Sequence, residues 1–323
     1  MKVSVIIATY KRGKLLIKCL EALAQQSFNR RDFEIIIVSD GIDEPTSALI
    51  KNFNHANKSL NIVLHVFRMN RGPAAARNAG WKLATGQLIL FTDDDCLPSE
   101  TWIADYWKDY MSIGSTMISF SGEVVVPLPS DPTDYELNTS HLETAEFVTA
   151  NCACTKKALE LVSGFDEDFK VAWREDSDLQ FKLIEAGIPI FKTKAKVIHP
   201  VRRTQWGISI REQKKSMFNA LLFKKHPKLY KQKISGTGLW NYYLIIISFF
   251  AAIIALIQKQ HMLFDIALLS WAGTTFYFLF KRIKNTSRRP GHLIEMIVTS
   301  MLIPFISVYW NLYGAFKFKK LLL

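Results

Sequence analysis

Three consecutive carboxylates, Asp93, Asp94 and Asp95, follow the apolar run Leu88 to Phe91. Adjacent carboxylates repel one another, and at the end of a strand a divalent cation is the natural partner that neutralises them. In an extended segment Asp93 and Asp95 point to one side and Asp94 to the other. That arrangement suits one ion, Mn2+ or Mg2+, holding a diphosphate; the other reading is a solvated acidic turn ahead of Pro98. A second acidic group, Glu175-Asp176-Ser177-Asp178, opens a stretch of helical period, where carboxylates also complement the helix dipole. Cys152 and Cys154 stand two apart with no second Cys or His pair nearby, so small residues in a buried strand explain them better than a metal site does.

The elements that must position these groups alternate two periods. Val3 to Ala8, Phe33 to Val38, Asn61 to Phe67 and Leu88 to Phe91 read as short strands buried on both faces. Helical stretches of crossover length lie between them, at Leu15 to Gln26, Thr46 to His55 and Ala74 to Ala84. Strand and helix in alternation predict an α/β fold with a mostly parallel, Rossmann-like sheet. Ligands bind such sheets outside the carboxyl ends of the strands, which here carry Thr9 and Tyr10, Asp40 and Gly41, Arg68, and the acidic triplet. Beyond them, Ser115 to Val126 reads as one or two strands, Pro127 to Ser140 as a loop and Val148 to Thr155 as a strand. Ser177 to Ala186 reads as a helix stopped by Gly187, and Gly187 to His199 as a strand or two.

Charge divides the chain sharply. Residues 1–200 carry 22 basic and 26 acidic side chains, whereas residues 201–323 carry 19 basic and 3 acidic. The net +12 therefore belongs to the end that also holds the long apolar runs, the profile of a globular domain followed by a membrane module and not of a nucleic-acid binder. Four cysteines without framework spacing read as reduced thiols in a cytosolic domain, and the first residues show no cleaved-signal pattern.

The expected division is a catalytic domain over 1–200, a basic amphipathic interfacial segment over 201–238, and a transmembrane region over 239–323. In the second, Ile210, Met217, Phe218, Leu221 and Leu222 form an apolar stripe beside lysines and arginines, as an interfacial helix on an anionic leaflet needs. Candidate spans cover 239–258, 262–280 and 293–316. The first connection has Lys259 alone and the next has Lys281, Arg282, Lys284, Arg288 and Arg289, which places the catalytic domain and the second connection in the cytosol at the cell membrane. The third run sets a conflict: a simple span leaves Lys317, Lys319 and Lys320 outside, against the charge rule, whereas a hairpin bent at Pro304 returns them.

The succession VSVIIATYKR, VSDG, NRGPAAARNAG, GQLILFTDDDCLP, NCACTKKALELVSGFDEDF and WREDSDLQFKL resembles the family 2 glycosyltransferases, inverting enzymes of the GT-A fold, over roughly residues 1–200. The resemblance implies that Thr9 and Tyr10 flank a nucleotide base, that Asp40 accepts a hydrogen bond from it, and that Arg77 reaches base or diphosphate, with Asp94 among the donor contacts. Asp93 and Asp95 match the family's metal pair, and His199 stands where related folds place a third metal ligand or a diphosphate contact, the other reading being a histidine at a domain boundary. Asp176 matches the catalytic base: a sugar hydroxyl is a poor nucleophile until a carboxylate takes its proton, and the metal offsets charge growing on the leaving diphosphate. Asn151 and Asp166 match the acceptor-lining stretch, and Glu175, Arg202, Arg203 and Trp206 are candidates for acceptor or diphosphate contact, the two arginines alternatively meeting the membrane surface. Ser39 and Ile42 depart from the family pattern around Asp40. The RxxQW order at Arg202 to Trp206 departs from the QxxRW of processive synthases.

The expected activity is transfer of a sugar from a nucleotide diphosphate sugar, a UDP-sugar first, to a hydroxyl of a lipid-linked or cell-surface glycan. Transfer to polyprenyl phosphate is the neighbouring reading, although that acceptor is already ionised and needs no base. A nucleotidyltransferase would require more glycine after the first strand than Gly13 supplies. A non-catalytic membrane scaffold would not need Asp93, Asp95 and Asp176.

Overall fold

The structure is a computed structural model that describes residues 1–234 and 239–320. Residues 235–238, the end of the expected amphipathic segment, lie outside the described residues. The chain forms two compact units, one of residues 1–127 with 140–201 and the other of residues 128–139 with 202–323.

The first unit is built on one eight-stranded sheet, in the order β3-β2-β1-β4-β7-β6-β8-β5. Its strands are β1 (Val3–Thr9), β2 (Phe33–Ser39), β3 (Ile62–Val66), β4 (Leu88–Asp93), β5 (Leu97–Pro98), β6 (Ser119–Val125), β7 (Cys152–Thr155) and β8 (Ile190–Ile198). Helices α1 (Gly13–Ala24), α2 (Glu44–Ala56) and α3 (Pro73–Leu83) cross over between the first four strands, which are mutually parallel. Next come α4 (Trp102–Ile113), α6 (Lys156–Val162) and α7 (Glu175–Glu185), while α5 (Asp134–Ser140) belongs, but for its last residue, to the second unit. β7 runs antiparallel between β4 and β6, while β6 and β8 are parallel.

Alternation along the strands fills a core on each face. Val3, Val5 and Ile7 join Leu16, Leu20, Trp102 and Tyr106 on one side; Ile6, Ile36 and Phe91 join Trp81, Leu159 and Leu179 on the other. The expectation of strands buried on both faces holds for β1, β2 and β4. It fails for β3, which is the sheet edge and leaves Val63 and Val66 exposed. Cys152 and Cys154 are buried in β7, and the four cysteines are free.

The second unit contains α8 (Ile208–Glu212), a 3-10 turn at residues 213–216, α9 (Met217–Lys225), α10 (Pro227–Lys233) and three long apolar helices, α11 (Trp240–Ile257), α12 (His261–Ile283) and α13 (Pro290–Lys317). All three are long and apolar enough to cross a membrane. Ser248 and Ser270 share a hydrogen bond at 2.9 Å between α11 and α12. Arg282, near the end of α12, is half-buried among partners: its guanidinium donates to Asp134 at 2.7 Å, to Thr299 at 2.7 Å and to Ser300 at 3.0 Å. Asp131 accepts from Ser287 at 2.8 Å, so the short segment 128–139, read from sequence as a plain loop, is tied to the helical unit by ionic and polar bonds.

Two features differ from the sequence reading. α13 runs unbroken through Pro304, so no hairpin forms there. Proline's missing N–H removes one helical bond without reversing a helix whose other turns are packed. The stripe Met217, Phe218, Leu221 and Leu222 is buried within the unit instead of standing free for a leaflet. Gly314 of α13 lies so close to the Met217 backbone that a Cβ there would collide with it.

Candidate active site

The parallel strands β1, β2 and β4 end together, and their carboxyl ends gather most of the groups singled out above. Asp40 is 5% exposed, and its carboxylate accepts from the backbone amides of Arg71 at 2.6 Å and Gly72 at 2.9 Å. It thereby fixes the loop that leads into α3. Gly72 sits at φ +97 with Lys170 backbone pressed against it, a place no side chain can occupy without strain. Thr9 is buried and donates to Asp94 at 2.7 Å. Tyr10 is exposed, its ring lying against Gly41.

The acidic triplet does not behave as a simple extended segment. β4 ends at Asp93, a turn follows with Cys96 N–H donating to the Asp93 carbonyl, and the three carboxylates diverge. Asp93 accepts from the Arg77 guanidinium at 2.7 Å. Asp94 is held by Thr9 and by Arg12 at 3.1 Å. Asp95 faces His199, whose Nε2 is 3.6 Å from its Oδ1. The short β5 explains that meeting, because Leu97 pairs with Ile198 and so brings the triplet's last member to the end of β8.

The electrostatics follow from burial and partners. Burial alone would raise Asp93, but Arg77 outweighs it and holds the carboxyl below its ordinary value. Burial pushes Asp94 up to about 6 despite Arg12. Asp176 is raised by burial, and Glu175 is pushed up to about 7 by burial and by the neighbouring Asp176. Arg77 is 4% exposed and binds Glu175 at 3.0 Å as well as Asp93, so one buried cation joins the end of β4 to the start of α7. Its guanidinium is occupied by those carboxylates and lies 5.8 Å from the Phe165 ring.

A metal fits part of this set. Asp95, Cys96 and His199 place ligand atoms within 4.8 Å of one another, and His199 Nδ1 is buried with no hydrogen-bond partner. The carboxylate suits either Mg2+ or Mn2+, and the imidazole nitrogen favours Mn2+ of the two. The Cys96 thiol is pushed well above its ordinary value by burial and the adjacent carboxylates, so it stays protonated and is a poor ligand. Asp93 lies outside that cluster among the described residues, since its carboxylate is turned to Arg77.

Asp176 stands in the first turn of α7, where its Oδ1 accepts from the Ser177 amide at 2.7 Å. The chain enters that helix through Arg174 at φ 74. Asn78 clamps the turn before it, donating to Phe165 O at 2.9 Å and accepting from Phe165 N at 2.9 Å. Asp166 caps its own turn, accepting from Asp168 N at 2.8 Å.

Asn151 does not serve as an acceptor contact. It is fully buried and saturated: Oδ1 accepts from Trp102 Nε1 and Tyr106 OH, both at 2.8 Å, while Nδ2 donates to Glu123 O and Ala195 O. It is a structural hub between β6, β8 and α4. Arg202, Arg203 and Trp206 belong to the second unit and are exposed there. Sequence reasoning missed Arg12 and Cys96. Arg12 follows β1 by three residues at the ligand edge, a signal that its position offered.

Residues 4–156 match the sequence profile described as glycosyl transferase family 2. The chain carries a family 2 glycosyltransferase domain. The match holds Thr9, Asp40, Arg77 and the acidic triplet, and it ends before Asp176 and His199. Among curated relatives, validoxylamine A glucosyltransferase of Streptomyces hygroscopicus subsp. jinggangensis is 26% identical over 271 residues, covering 70% of this chain and 61% of the relative. Poly(ribitol-phosphate) beta-N-acetylglucosaminyltransferase TarS of Staphylococcus aureus is 34% identical over 103 residues, covering 31% and 18%. The chain thus spans less than two thirds of these relatives' length. Of solved structures, the mannosyltransferase PcManGT from Pyrobaculum calidifontis, in complex with GDP-Man and Mn2+, aligns with a TM-score of 0.57 at 16% identity over 97% of this chain and 87% of that one. S. aureus TarS 1-349 in complex with UDP aligns with a TM-score of 0.51 at 16% identity, over 93% and 90%. The first unit therefore has the GT-A fold.

Proposed function

We propose that the protein is a metal-dependent, inverting glycosyltransferase that moves a sugar from a nucleotide diphosphate sugar to a hydroxyl of a glycan or glycolipid at the cytosolic face of the cell membrane. What carries the reading is a family 2 domain in which the end of β4, beside the Asp95 and His199 pair, is tied through Arg77 to the start of α7, where the half-buried Asp176 stands. Asp95 and His199 would hold the divalent ion, with Asp93 held beside them by Arg77. When bound, such an ion supplies positive charge to a departing diphosphate. Thr9, Tyr10, Asp40 and Asp94 lie at the strand ends where a nucleotide would be received.

Asp176 takes the acceptor's proton. Burial raises its affinity for that proton toward neutral pH, which suits a general base. A base of this kind favours a hydroxyl acceptor over an already ionised polyprenyl phosphate. TarS has been captured with UDP and with UDP-GlcNAc and PcManGT with GDP-Man; of the nucleotide sugars, a UDP-sugar is the donor proposed first. α11 and α12 would form a hairpin in the bilayer, with the cationic connection of Lys281 to Arg289 in the cytosol.

The test is a panel of UDP- and GDP-sugars incubated with the full-length protein in detergent, with and without Mn2+. The reading expects metal-dependent release of the nucleotide from one donor. Asp176→Asn should lower transfer by about 10²-fold or more, while leaving Mn2+-dependent donor binding intact. Wild-type turnover in Asp176→Asn would refute the assignment.

A further inference from the structure

We propose that α13 does not cross the bilayer but lies in the plane of its cytosolic face, leaving α11 and α12 as the two spans. This rests on the membrane reading above and adds to it the fate of the third apolar helix.

The helix has two unlike faces. Ile294, Leu302, Tyr309, Leu312 and Phe316 are exposed on one side. On the other, His292, Thr299, Ser300, Ser307 and Asn311 are buried. An apolar face turned outward and a polar face turned to protein is the pattern of a helix resting on lipid. At 28 residues and about 1.5 Å each, it is also about 42 Å long, well beyond a hydrocarbon core of about 30 Å.

The polar face is covered along most of its length by residues 207–218. Gly207 N–H donates to Glu295 at 2.7 Å near the start of α13. Lys214 Nζ lies 5.5 Å from the Trp310 ring, Gly314 abuts the Met217 backbone, and the rings of Phe218 and Phe318 are 6.0 Å apart at its end. This covering segment carries Arg211, Glu212, Lys214 and Lys215, none of them buried. If α13 crossed the bilayer, these charges would have to travel with it through hydrocarbon, where ionic side chains are strongly disfavoured. Lying in the interface, α13 keeps them at the water boundary.

The charge rule then closes as well. Lys281 to Arg289 precede the helix, and Lys317, Lys319 and Lys320 follow it. An in-plane helix puts both basic ends on the cytosolic side, with neither a third span nor a reversal at Pro304. Tyr309, Trp310 and Tyr313 are amphipathic rings of the kind found at the headgroup level. The contact of Arg282 agrees: at the connection end of α12, on the cytosolic side of the hairpin, it bonds Thr299 and Ser300 of α13.

Single cysteines at Gln260, Lys284 and Lys320 in the full-length chain, probed in spheroplasts with a membrane-impermeant maleimide, test this; the four native thiols are buried. Gln260→Cys should label from outside, and Lys284→Cys and Lys320→Cys only after permeabilisation. Labelling of Lys320→Cys from outside alongside Gln260→Cys would leave the membrane reading standing and overturn the in-plane helix. Failure of Gln260→Cys to label from outside would instead overturn the hairpin, and the proposal with it. As a second measurement, nitroxides at Ile294, Leu302 and Leu312 in vesicles of phosphatidylglycerol and phosphatidylethanolamine should report one shallow depth. A maximum of depth at Leu302 would refute the proposal.

Discussion

Replacing Arg77 with glutamine removes the cation that joins the two acidic centres. Its two partners are not equivalent. The Asp93 side chain is 29% exposed and can turn to water, whereas that of Glu175 is 3% exposed and is left in the interior. Stripping one partner from a buried pair costs about 3–5 kcal/mol when the other must stay charged. Glu175 has an escape, because its pKa already stands at about 7 with Arg77 present. A buried carboxylate raised in this way takes up a proton on folding between its unfolded pKa and 7, so its contribution to stability falls as pH rises across that window. Removing Arg77 raises the pKa further and extends the window upward.

At about pH 6, therefore, Glu175 is protonated and the variant loses about 1–2 kcal/mol, mainly hydrogen bonds. At about pH 8.5 it approaches the full charge-burial cost of about 3–5 kcal/mol. For a unit of this size, about 2–4 °C per kcal/mol, Arg77→Gln should melt roughly 6–20 °C below wild type at the higher pH and roughly 2–8 °C below it at the lower. Tryptophan fluorescence on the full-length protein in detergent reads this directly, since Trp81 and Trp102 lie in the first unit's two cores. Adding Glu175→Gln should return most of the alkaline loss. A deficit that is the same at both pH values, or a double variant no better than the single, would refute the bridging role of Arg77.

Other consequences can be checked separately. Asn151→Ala orphans two buried donors and two carbonyls, each worth about 1–3 kcal/mol, so limited proteolysis should find the first unit opened, while Asn151→Asp should not rescue it fully because a carboxylate cannot donate. His199→Ala and Asp95→Asn should abolish tight Mn2+ binding measured by the loss of the free-ion electron paramagnetic resonance signal, whereas Cys96→Ser should leave it nearly unchanged. Transfer should fall on the acid side as Asp176 becomes protonated, at a pH above the ordinary carboxylate value of about 4, because burial raises its pKa. A rate profile flat down to pH 4 would contradict that.

Much of the fold was legible because local and global preferences agree. The β-branched runs of β1 and β2 and the apolar run of β4 fit strands packed on both faces, and Pro73 after Gly72 marks the start of α3. β3 was misread in its burial because its hydrophobic run resembles the others, and only strand order reveals an edge. The antiparallel insertion of β7 and the two-residue β5 were not legible. Both depend on pairings between residues far apart in sequence, as Leu97 with Ile198 shows.

At the site, residue types were readable and partners were not. Asp93 and Asp95 were expected on one side of a strand, but the turn after Asp93 sends one to Arg77 and the other to His199. Arg77 and Asn151 share motifs with residues that meet ligands, yet each is consumed by internal bonds. Burial decides that difference, and burial is a property of the whole packing. The segment 128–139 was likewise opaque, since Asp134 finds its partner 148 residues later at Arg282.

The central claim is inverting, metal-assisted sugar transfer with Asp176 as base. Its most direct test is time-resolved proton nuclear magnetic resonance of the anomeric signal, using the full-length protein, Mn2+, the α-linked nucleotide sugar chosen by the donor panel, and a membrane glycolipid extract as acceptor. The account predicts that the first transferred sugar appears with the β configuration as nucleotide diphosphate is released, and that Asp176→Asn transfers slower by about 10²-fold or more. An α-configured first product, or transfer at the wild-type rate in Asp176→Asn, would contradict it.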